Sequence, residues 1–111
     1  MAIKSGQVVD VTSLSAAIDT TLVASSASEL KEVYSLSFHD YGSAGATIEV
    51  FLSSDETSLS AERIDTVKLG AGQTKSIGPI GVNSANYLIV KSDAANINVY
   101  GLYTVRNGAD I

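Results

Sequence analysis

The sequence contains no cysteine and no tryptophan, and it has a single proline and a single methionine among its 111 residues. The missing cysteines exclude a disulfide framework, thiol catalysis and a cysteine–zinc site. Charged residues make up only 17%, and twelve acidic groups against seven basic ones give a formal net charge of −5. This acidic balance argues against nucleic acid as a partner, because phosphate binding needs a basic surface.

Long apolar runs are also missing from the sequence. The longest are about four residues, such as Tyr87–Val90, whereas a helix that crosses a membrane needs about 20. No apolar core of signal-peptide length follows Lys4, so we expect a soluble product that keeps its first residues and has no membrane partner. The 45% of hydrophobic residues exclude a disordered chain. The length predicts one domain over residues 1–111.

Serine and threonine take the place of the missing charge, with 16 Ser and 8 Thr residues. A weakly charged chain that is rich in Ser and Thr, is interrupted by glycines and contains β-branched runs is typical of short strands joined by tight turns. A surface with little charge also packs against other proteins at a low desolvation penalty.

Apolar and polar residues alternate along the Val33–His39 segment, which is the mark of a half-buried strand. Its apolar face is predicted to hold Tyr34, Leu36 and Phe38. The Thr47–Ser53 segment alternates in the same way, with an apolar face of Ile48, Val50 and Leu52.

Short turns between neighbouring strands predict three hairpins. The predicted pairs are Val33–His39 with Thr47–Ser53, Ile64–Leu69 with Gln73–Ile77, and Tyr87–Ser92 with Ile97–Arg106. Two weaker strands, Gln7–Val11 and Thr20–Ala24, precede them, and Gly101 indicates a bulge or a close backbone approach. We therefore expect an all-β fold, an antiparallel β-sandwich of about seven to eight strands that is jelly-roll-like or immunoglobulin-like.

Candidates for chemistry are few. His39 and Asp40 are adjacent on a strand and therefore point to opposite faces, and no glycine-framed nucleophile is present. Asp55 and Glu56 with Asp65 or Asp40 could offer oxygen ligands to calcium, but the spacing of a calcium loop is absent. The glycine-rich turns lie between strands and not before a helix, so they do not predict a phosphate site. We expect no catalytic residue, no metal and no cofactor.

The tyrosines are the better candidates for binding. Tyr34 and Tyr103 fall on apolar faces and are predicted to belong to the core. Tyr41 lies in a turn and Tyr100 lies on the polar face of the last strand, so both are candidate contacts with a partner or a sugar.

The order of these segments resembles small β-sandwich virion proteins of tailed bacteriophages, which occur on heads, necks and tails. The resemblance covers about residues 20–105 and rests on the layout of Thr21–Val23, Lys31–Phe38, Ala46–Leu52, Leu69–Thr74, Gly78–Val82 and Tyr87–Val99. It implies a structural protein of the virion, first of all a head decoration protein and alternatively a neck or tail component. The partners that it implies are the major capsid protein, or neck or tail proteins, and further copies of the chain.

Two other functions and the role of the N-terminal segment stay open at this point. A carbohydrate- or cell-surface-binding module is the second hypothesis, and an enzyme is the third. The N-terminal residues 1–24 are predicted to form an arm that lies along the sheet edge of a neighbouring copy in a homo-oligomer, with Val8, Val9 and Val11 as contacts. The alternative is that this segment closes the sandwich of its own chain.

Overall fold

The computed structural model describes residues 3–24, 29–55, 62–83 and 85–107, with side chains from residue 13 to residue 105 of those ranges. These residues form nine β-strands and no helix, which confirms the all-β prediction. The strands are β1 (Ile3–Leu14), β2 (Thr20–Val23), β3 (Glu29–Asp40), β4 (Ala46–Ser53), β5 (Glu62–Leu69), β6 (Thr74–Ile77), β7 (Ile80–Val82), β8 (Tyr87–Ser92) and β9 (Ile97–Asn107).

The strands form two antiparallel sheets that pack face to face. The front sheet has the order β1-β9-β3-β6, and β7 pairs with β3 beyond the end of β6. The back sheet has the order β2-β8-β4-β5. The two sheets confirm the predicted β-sandwich.

The strand pairs are nested around the connection between β4 and β5. Outward from that connection, β3 pairs with β6 and β7, β2 pairs with β8, and β1 pairs with β9. When β6 and β7 are counted as one strand, these four nested pairs form an eight-stranded ribbon that is wrapped into two sheets. Of the two sandwich types left open by the sequence, this order is that of a jelly roll.

The three predicted hairpins are wrong. In each of them the first strand lies in one sheet and the second strand lies in the other, as β3 and β4, β5 and β6, and β8 and β9 show. The short turns therefore carry the chain across the core, from sheet to sheet. β3 lies between β9 and β6, and β8 lies between β2 and β4, so these strands pair with partners that are distant in sequence, whereas β4 and β5 are neighbours both in sequence and in the sheet.

The core consists of the inward faces of the two sheets. Leu36 and Phe38 of β3 and Ile48 and Val50 of β4 are fully buried there, and Leu52 packs against them. These positions confirm the alternation predicted for the two segments.

Tyr34 departs from this alternation and is 51% exposed, so its assignment to the core is wrong. The pairing of β3 with β9 shifts between Val33 and Ser35, which makes Tyr34 the extra residue of a β-bulge. A bulge turns the side chains that follow it by one position. Val33 is therefore buried in place of Tyr34. Tyr103, the other tyrosine assigned to the core, is partly buried and packs against the core as predicted.

The N-terminal strands belong to the sandwich of their own chain. β1 pairs with β9 over its length, with two register shifts, and β2 pairs with β8. Over the described residues 3–24, the structure thus has the second arrangement considered for the N-terminal segment. Gly101 of β9 is buried, and its register partners are Leu36 of β3 and Val9 of β1. The bulges nearest to Gly101 lie on these two partner strands.

Candidate interaction face

Two large hydrophobic side chains of β9 are turned away from the core. Val99 is fully buried and Gly101 lies opposite buried Leu36, so the residues that alternate with them face outward. These residues are Tyr100 and Leu102, which are 43% and 39% exposed.

The bulge of β3 adds a third side chain to the same side of the front sheet. Ser35 is the register partner of Leu102, and Tyr34 immediately precedes it as the extra residue. Since Val33 and Leu36 are both buried, Tyr34 and Ser35 both face outward, next to Leu102.

Tyr41 reaches the same side from the turn that follows β3. Its hydroxyl lies 2.9 Å from the hydroxyl of Ser13 on β1, and its backbone N–H donates to the carbonyl of Asn96. Because β9 lies between β3 and β1, the side chain of Tyr41 crosses β9 near Asn98, the register partner of Ser13. The ring is 49% exposed.

Together these residues define a surface that we name the tyrosine face, the outward side of the front sheet at Tyr34, Tyr41, Tyr100 and Leu102. Six large hydrophobic side chains are exposed in the described part of the chain, and four of them belong to this face. The other two are Ile18 in the β1–β2 connection and Ile64 on β5.

Small polar side chains surround the hydrophobic ones on this face. Ser37 and Ser76 share a hydrogen bond of 2.7 Å between β3 and β6, and His39 Nδ1 lies 2.7 Å from Thr74 Oγ1. No Asp, Glu, Lys or Arg is found among the described side chains of the outward rows that run from Ser13 to Leu102.

The back sheet has the opposite character. Its outward row carries Glu49, in register with Lys91, and Arg63 donates to Glu49 Oε2 at 2.9 Å. Both members of this ion pair are substantially exposed. The back sheet thus carries ionic side chains in its outward row, whereas the described outward rows of the front sheet from Ser13 to Leu102 carry uncharged polar and aromatic ones.

The structure brings Tyr41 and Tyr100, the two predicted contact tyrosines, onto one face. Val8 and Val9 lie on β1 in register with Leu102 and Gly101, and Val11 lies within the second register shift of β1. The side chains of these three valines are outside the described residues. Tyr34 and Leu102 were missed by the sequence analysis, although Leu102 follows Tyr100 by two residues and shares its side of the strand.

The acidic residues considered for calcium do not assemble. Asp40 is fully buried at the end of β3, where its Oδ1 accepts the N–H of Gly42 at 2.8 Å. Asp55 accepts a hydrogen bond from Ser53, and Glu56 lies outside the described residues. The described ranges contain no group of three His, Asp or Glu side chains arranged to hold a metal ion. They also contain no helix long and apolar enough to cross a membrane.

The fold is a jelly-roll sandwich whose back sheet carries an ion pair on its outer side, whereas the described outward rows of the front sheet from Ser13 to Leu102 carry exposed tyrosine and leucine side chains. No protein-family model and no curated protein sequence matches the chain. Among solved structures, a protein of Bacillus endospore appendages, described as a family of disulfide-linked pili, is similar at a TM-score of 0.50 and 18% identity, over 94% of this chain and 90% of that one. At that identity the similarity shows a shared fold alone.

Two further solved structures are more distant. The CBM22-1–GH10 part of the Clostridium thermocellum xylanase 10B, complexed with xylohexaose, is similar at a TM-score of 0.46 and 16% identity, over 76% of this chain. The chain spans only 17% of that xylanase chain. A pentameric capsid protein from metagenomic phage sequences is similar at a TM-score of 0.42 and 15% identity, over 90% of this chain and 64% of that one.

Proposed function

We propose that this protein is a non-enzymatic structural component of a tailed-phage particle, a head decoration protein that attaches through its tyrosine face. A neck or tail component is the alternative within the same class. The proposal is supported by the jelly-roll topology, which recurs in viral shells, by the layout of the segments between residues 20 and 105, and above all by the tyrosine face.

The observation that carries the proposal is the concentration of exposed Tyr and Leu side chains on one sheet face, where the described outward rows from Ser13 to Leu102 hold no ionic side chain. Tyrosine gives a large contact area at a small loss of conformational entropy, and it is enriched in the centre of protein interfaces, where charge is depleted. With strands about 4.8 Å apart and about 3.4 Å per residue, four strands over roughly eight residues present roughly 500 Å². Covering this face would bury roughly 1,000 Å² in total, the lower end for a specific contact.

The lateral edges are poorer candidates for attachment than the tyrosine face. The edge strand β5 carries Glu62, Arg63, Asp65 and Lys68, all exposed, and charges on an edge oppose its pairing with the same edge of a second copy. The edge strand β1 has two register shifts, which interrupt a regular edge. We therefore expect attachment by packing of the tyrosine face and not by pairing of an edge strand.

Particle binding by charge-insertion variants tests the proposal. Leu102→Lys and Tyr100→Lys place an ammonium group in the middle of the tyrosine face, whereas Ile18→Lys places one at an exposed isoleucine in the β1–β2 connection. Each protein is co-expressed with the shell, neck and tail proteins encoded beside its gene, and bound protein is measured after sedimentation of heads and tails separately.

We expect the two variants of the face to lose occupancy by about tenfold or more, and Ile18→Lys to bind like the unchanged protein. Occupancy on heads supports a decoration protein, and occupancy only on necks or tails supports the alternative. Unchanged occupancy of Leu102→Lys and Tyr100→Lys on every fraction would overturn the proposal.

A carbohydrate-binding module is the second candidate, because one specific observation favours it. Tyr34, Tyr41 and Tyr100 present three exposed rings on a single face, with serine, threonine and asparagine side chains between them. Rings that stack on a sugar, together with neighbouring hydroxyl groups, are suited to an oligosaccharide. Binding to an immobilised glycan panel that is lost in Tyr100→Ala, together with no binding to particles, would favour this second function.

A further inference from the structure

A cleft of about 340 Å³ lies at one lateral edge of the sandwich, between β5 of the back sheet and the β6–β7 connection of the front sheet. We name it the edge cleft. Its side-chain lining consists of Leu52, Ile64, Asp65, Ile77, Pro79 and Ile80. It is separate from the tyrosine face, and its volume is at the lower end of those of ligand pockets.

The cleft exists because β5 stops contributing apolar residues to the core halfway along its length. Val67 and Leu69 are buried opposite Ile48 and Ala46 of β4. The next inward position on β5 is taken by Asp65, which is in register with buried Val50. The side chain of Asp65 is exposed. A carboxylate in an inward position keeps the two sheets from closing on each other at this edge.

A second bulge turns an isoleucine towards the same opening. The pairing of β5 with β4 shifts at Val50 and Phe51, which pair with Asp65 and Arg63 and leave Ile64 as the extra residue. Ile64 lines the cleft although it is 41% exposed. The register also places Glu62 opposite inward-facing Leu52, so two carboxylates flank Ile64 along β5.

The opposite wall is held firmly in place. Gly78 has a φ of +134°, and a Cβ on this residue would lie 2.5 Å from the carbonyl oxygen of Tyr34 on β3. The chain between β6 and β7 therefore packs directly on the backbone of β3. Ile77 packs against the core and Ile80 is 9% exposed, which fixes the apolar part of this wall.

The cation on β5 that is nearest to the cleft is directed elsewhere. Arg63 faces the outer side of the back sheet, where it pairs with Glu49. Asp65 Oδ1 accepts the N–H of Thr66 at 2.8 Å, which holds the carboxylate in place. The cleft thus combines aliphatic walls with a fixed negative charge, next to the outer edge of a strand.

From this combination we infer that the edge cleft binds an extended basic segment of another protein. The segment runs along the β5 edge, inserts one aliphatic side chain against Ile64, Ile77 and Ile80, and places a lysine or arginine beside Asp65. Backbone hydrogen bonds to an edge strand, with side-chain pockets for selectivity, are a recurrent mode of peptide binding. Charge complementarity selects the basic segment, because Asp65 lines the cleft, Glu62 is in register with inward-facing Leu52, and the whole chain has a net charge of −5. Lys75 of β6, in register with Phe38, is not among the lining residues.

An alternative explanation of Asp65 predicts a different experimental result. An inward-pointing charge on an edge strand also prevents edge-to-edge aggregation. If that were its whole role, the protein would have no preference for a basic peptide, and neutralising Asp65 would only promote self-association.

The test uses two capped pentapeptides with the sequences Lys-Ile-Lys-Val-Lys and Glu-Ile-Glu-Val-Glu, titrated into the full-length protein and followed by NMR chemical shifts. We expect the basic peptide to bind and to shift backbone signals of β5 and of residues 77–81, and the acidic peptide not to bind. Asp65→Asn and Ile64→Ser should each weaken binding by about fivefold or more, because each removes one of the two proposed contacts.

Three controls keep the result decisive. Ile18→Ser removes an exposed isoleucine elsewhere and should leave the affinity unchanged, and thermal unfolding checks that every variant is folded. Asp65→Lys should reverse the preference in favour of the acidic peptide. The inference is overturned if the unchanged protein does not prefer the basic peptide, or if Asp65→Asn binds it with undiminished affinity. Particle attachment through the tyrosine face involves other residues, so the two proposals fail independently.

Discussion

The hydroxyl groups of Tyr41 and Ser13 lie 2.9 Å apart, and this contact joins the turn after β3 to the edge strand β1 across the intervening strand β9. An exposed tyrosine ring that is held at both its backbone and its hydroxyl has few orientations to lose when a partner covers it. Such preorganisation reduces the entropy lost on binding. The contact therefore contributes more to the preorganisation of the tyrosine face for binding than to the stability of the fold.

Tyr41→Phe and Ser13→Ala should each lower the free energy of unfolding by less than about 1 kcal/mol, because the pair is exposed to water. In a double-mutant cycle measured by urea unfolding, the two changes should be coupled by about 0.5 kcal/mol. Additive effects of the two substitutions would show that the hydroxyl groups do not interact in solution.

Leu36 and His39 lie three residues apart on β3 and should respond differently to substitution. Leu36 is fully buried, so Leu36→Asp places an unpaired carboxylate in the core and should destabilise the protein by several kcal/mol, to the point of unfolding. His39 lies on the outer side, where it contacts only Thr74 among the described hydrogen bonds. His39→Ala should therefore change the stability by about 1 kcal/mol or less. Equal melting temperatures of the two variants would contradict these positions.

Gly78 and Gly72 form a matched pair, because both have positive φ values and only one is crowded. A Cβ at Gly78 would meet the carbonyl of Tyr34 at 2.5 Å, whereas a Cβ at Gly72 would meet nothing within 4 Å. Gly78→Ala should lower the free energy of unfolding by about 3 kcal/mol, and Gly72→Ala by about 1 kcal/mol, from backbone strain alone. A similar loss in both variants, measured by thermal unfolding, would mean that the close approach to β3 is absent.

Asp40 presents a carboxylate to the core with only one of its oxygens bonded. Oδ1 accepts the N–H of Gly42, whereas Oδ2 has no partner among the described residues. Asp40→Ala should destabilise the protein by about 2 kcal/mol, because the Gly42 N–H loses its acceptor. Asp40→Asn retains that acceptor and should stay within about 1 kcal/mol of the unchanged protein. If denaturant unfolding shows the asparagine variant to be as unstable as the alanine variant, the negative charge itself is required.

Removal of residues 1–11 tests the role of the N-terminal strand. These residues supply most of β1, the strand that covers one side of β9 along Val8–Leu102 and Val9–Gly101. We expect the truncated protein to be less stable and to expose a long edge that promotes aggregation. A contact of residues 1–24 with a second copy stays a prediction, and a truncated protein that remains folded and monomeric but loses particle binding would support it. Unchanged folding, mass and particle binding would show that the segment has neither role.

The alternation of residue types was sufficient to predict eight of the nine described strands and most of the core, whereas β7 (Ile80–Val82) lies in a segment that was predicted to be a glycine-rich turn. Leu36, Phe38, Ile48 and Val50 follow a period of two, and a buried sheet face imposes that period along any strand. The same reasoning placed Tyr100 and Tyr41 outside the core, where the structure has them. These properties depend on each strand separately, so they can be inferred without knowledge of its partners.

The partners of each strand could not be inferred in this way. A short turn between two half-buried strands allows them either to pair within one sheet or to face each other across the core, and both arrangements bury the same residues. The three predicted hairpins failed for this reason. In the jelly roll, β3 pairs instead with β9, which lies more than 50 residues later in the sequence.

The two sites depend on the same long-range pairing. The bulges at Tyr34 and Ile64 are defined only against a partner strand, where one extra residue must be accommodated. Each bulge turns a hydrophobic side chain that its own strand pattern assigns elsewhere, towards the tyrosine face in one case and towards the edge cleft in the other. Local alternation reports which side of a strand is buried, but the register between distant strands determines where that alternation is interrupted.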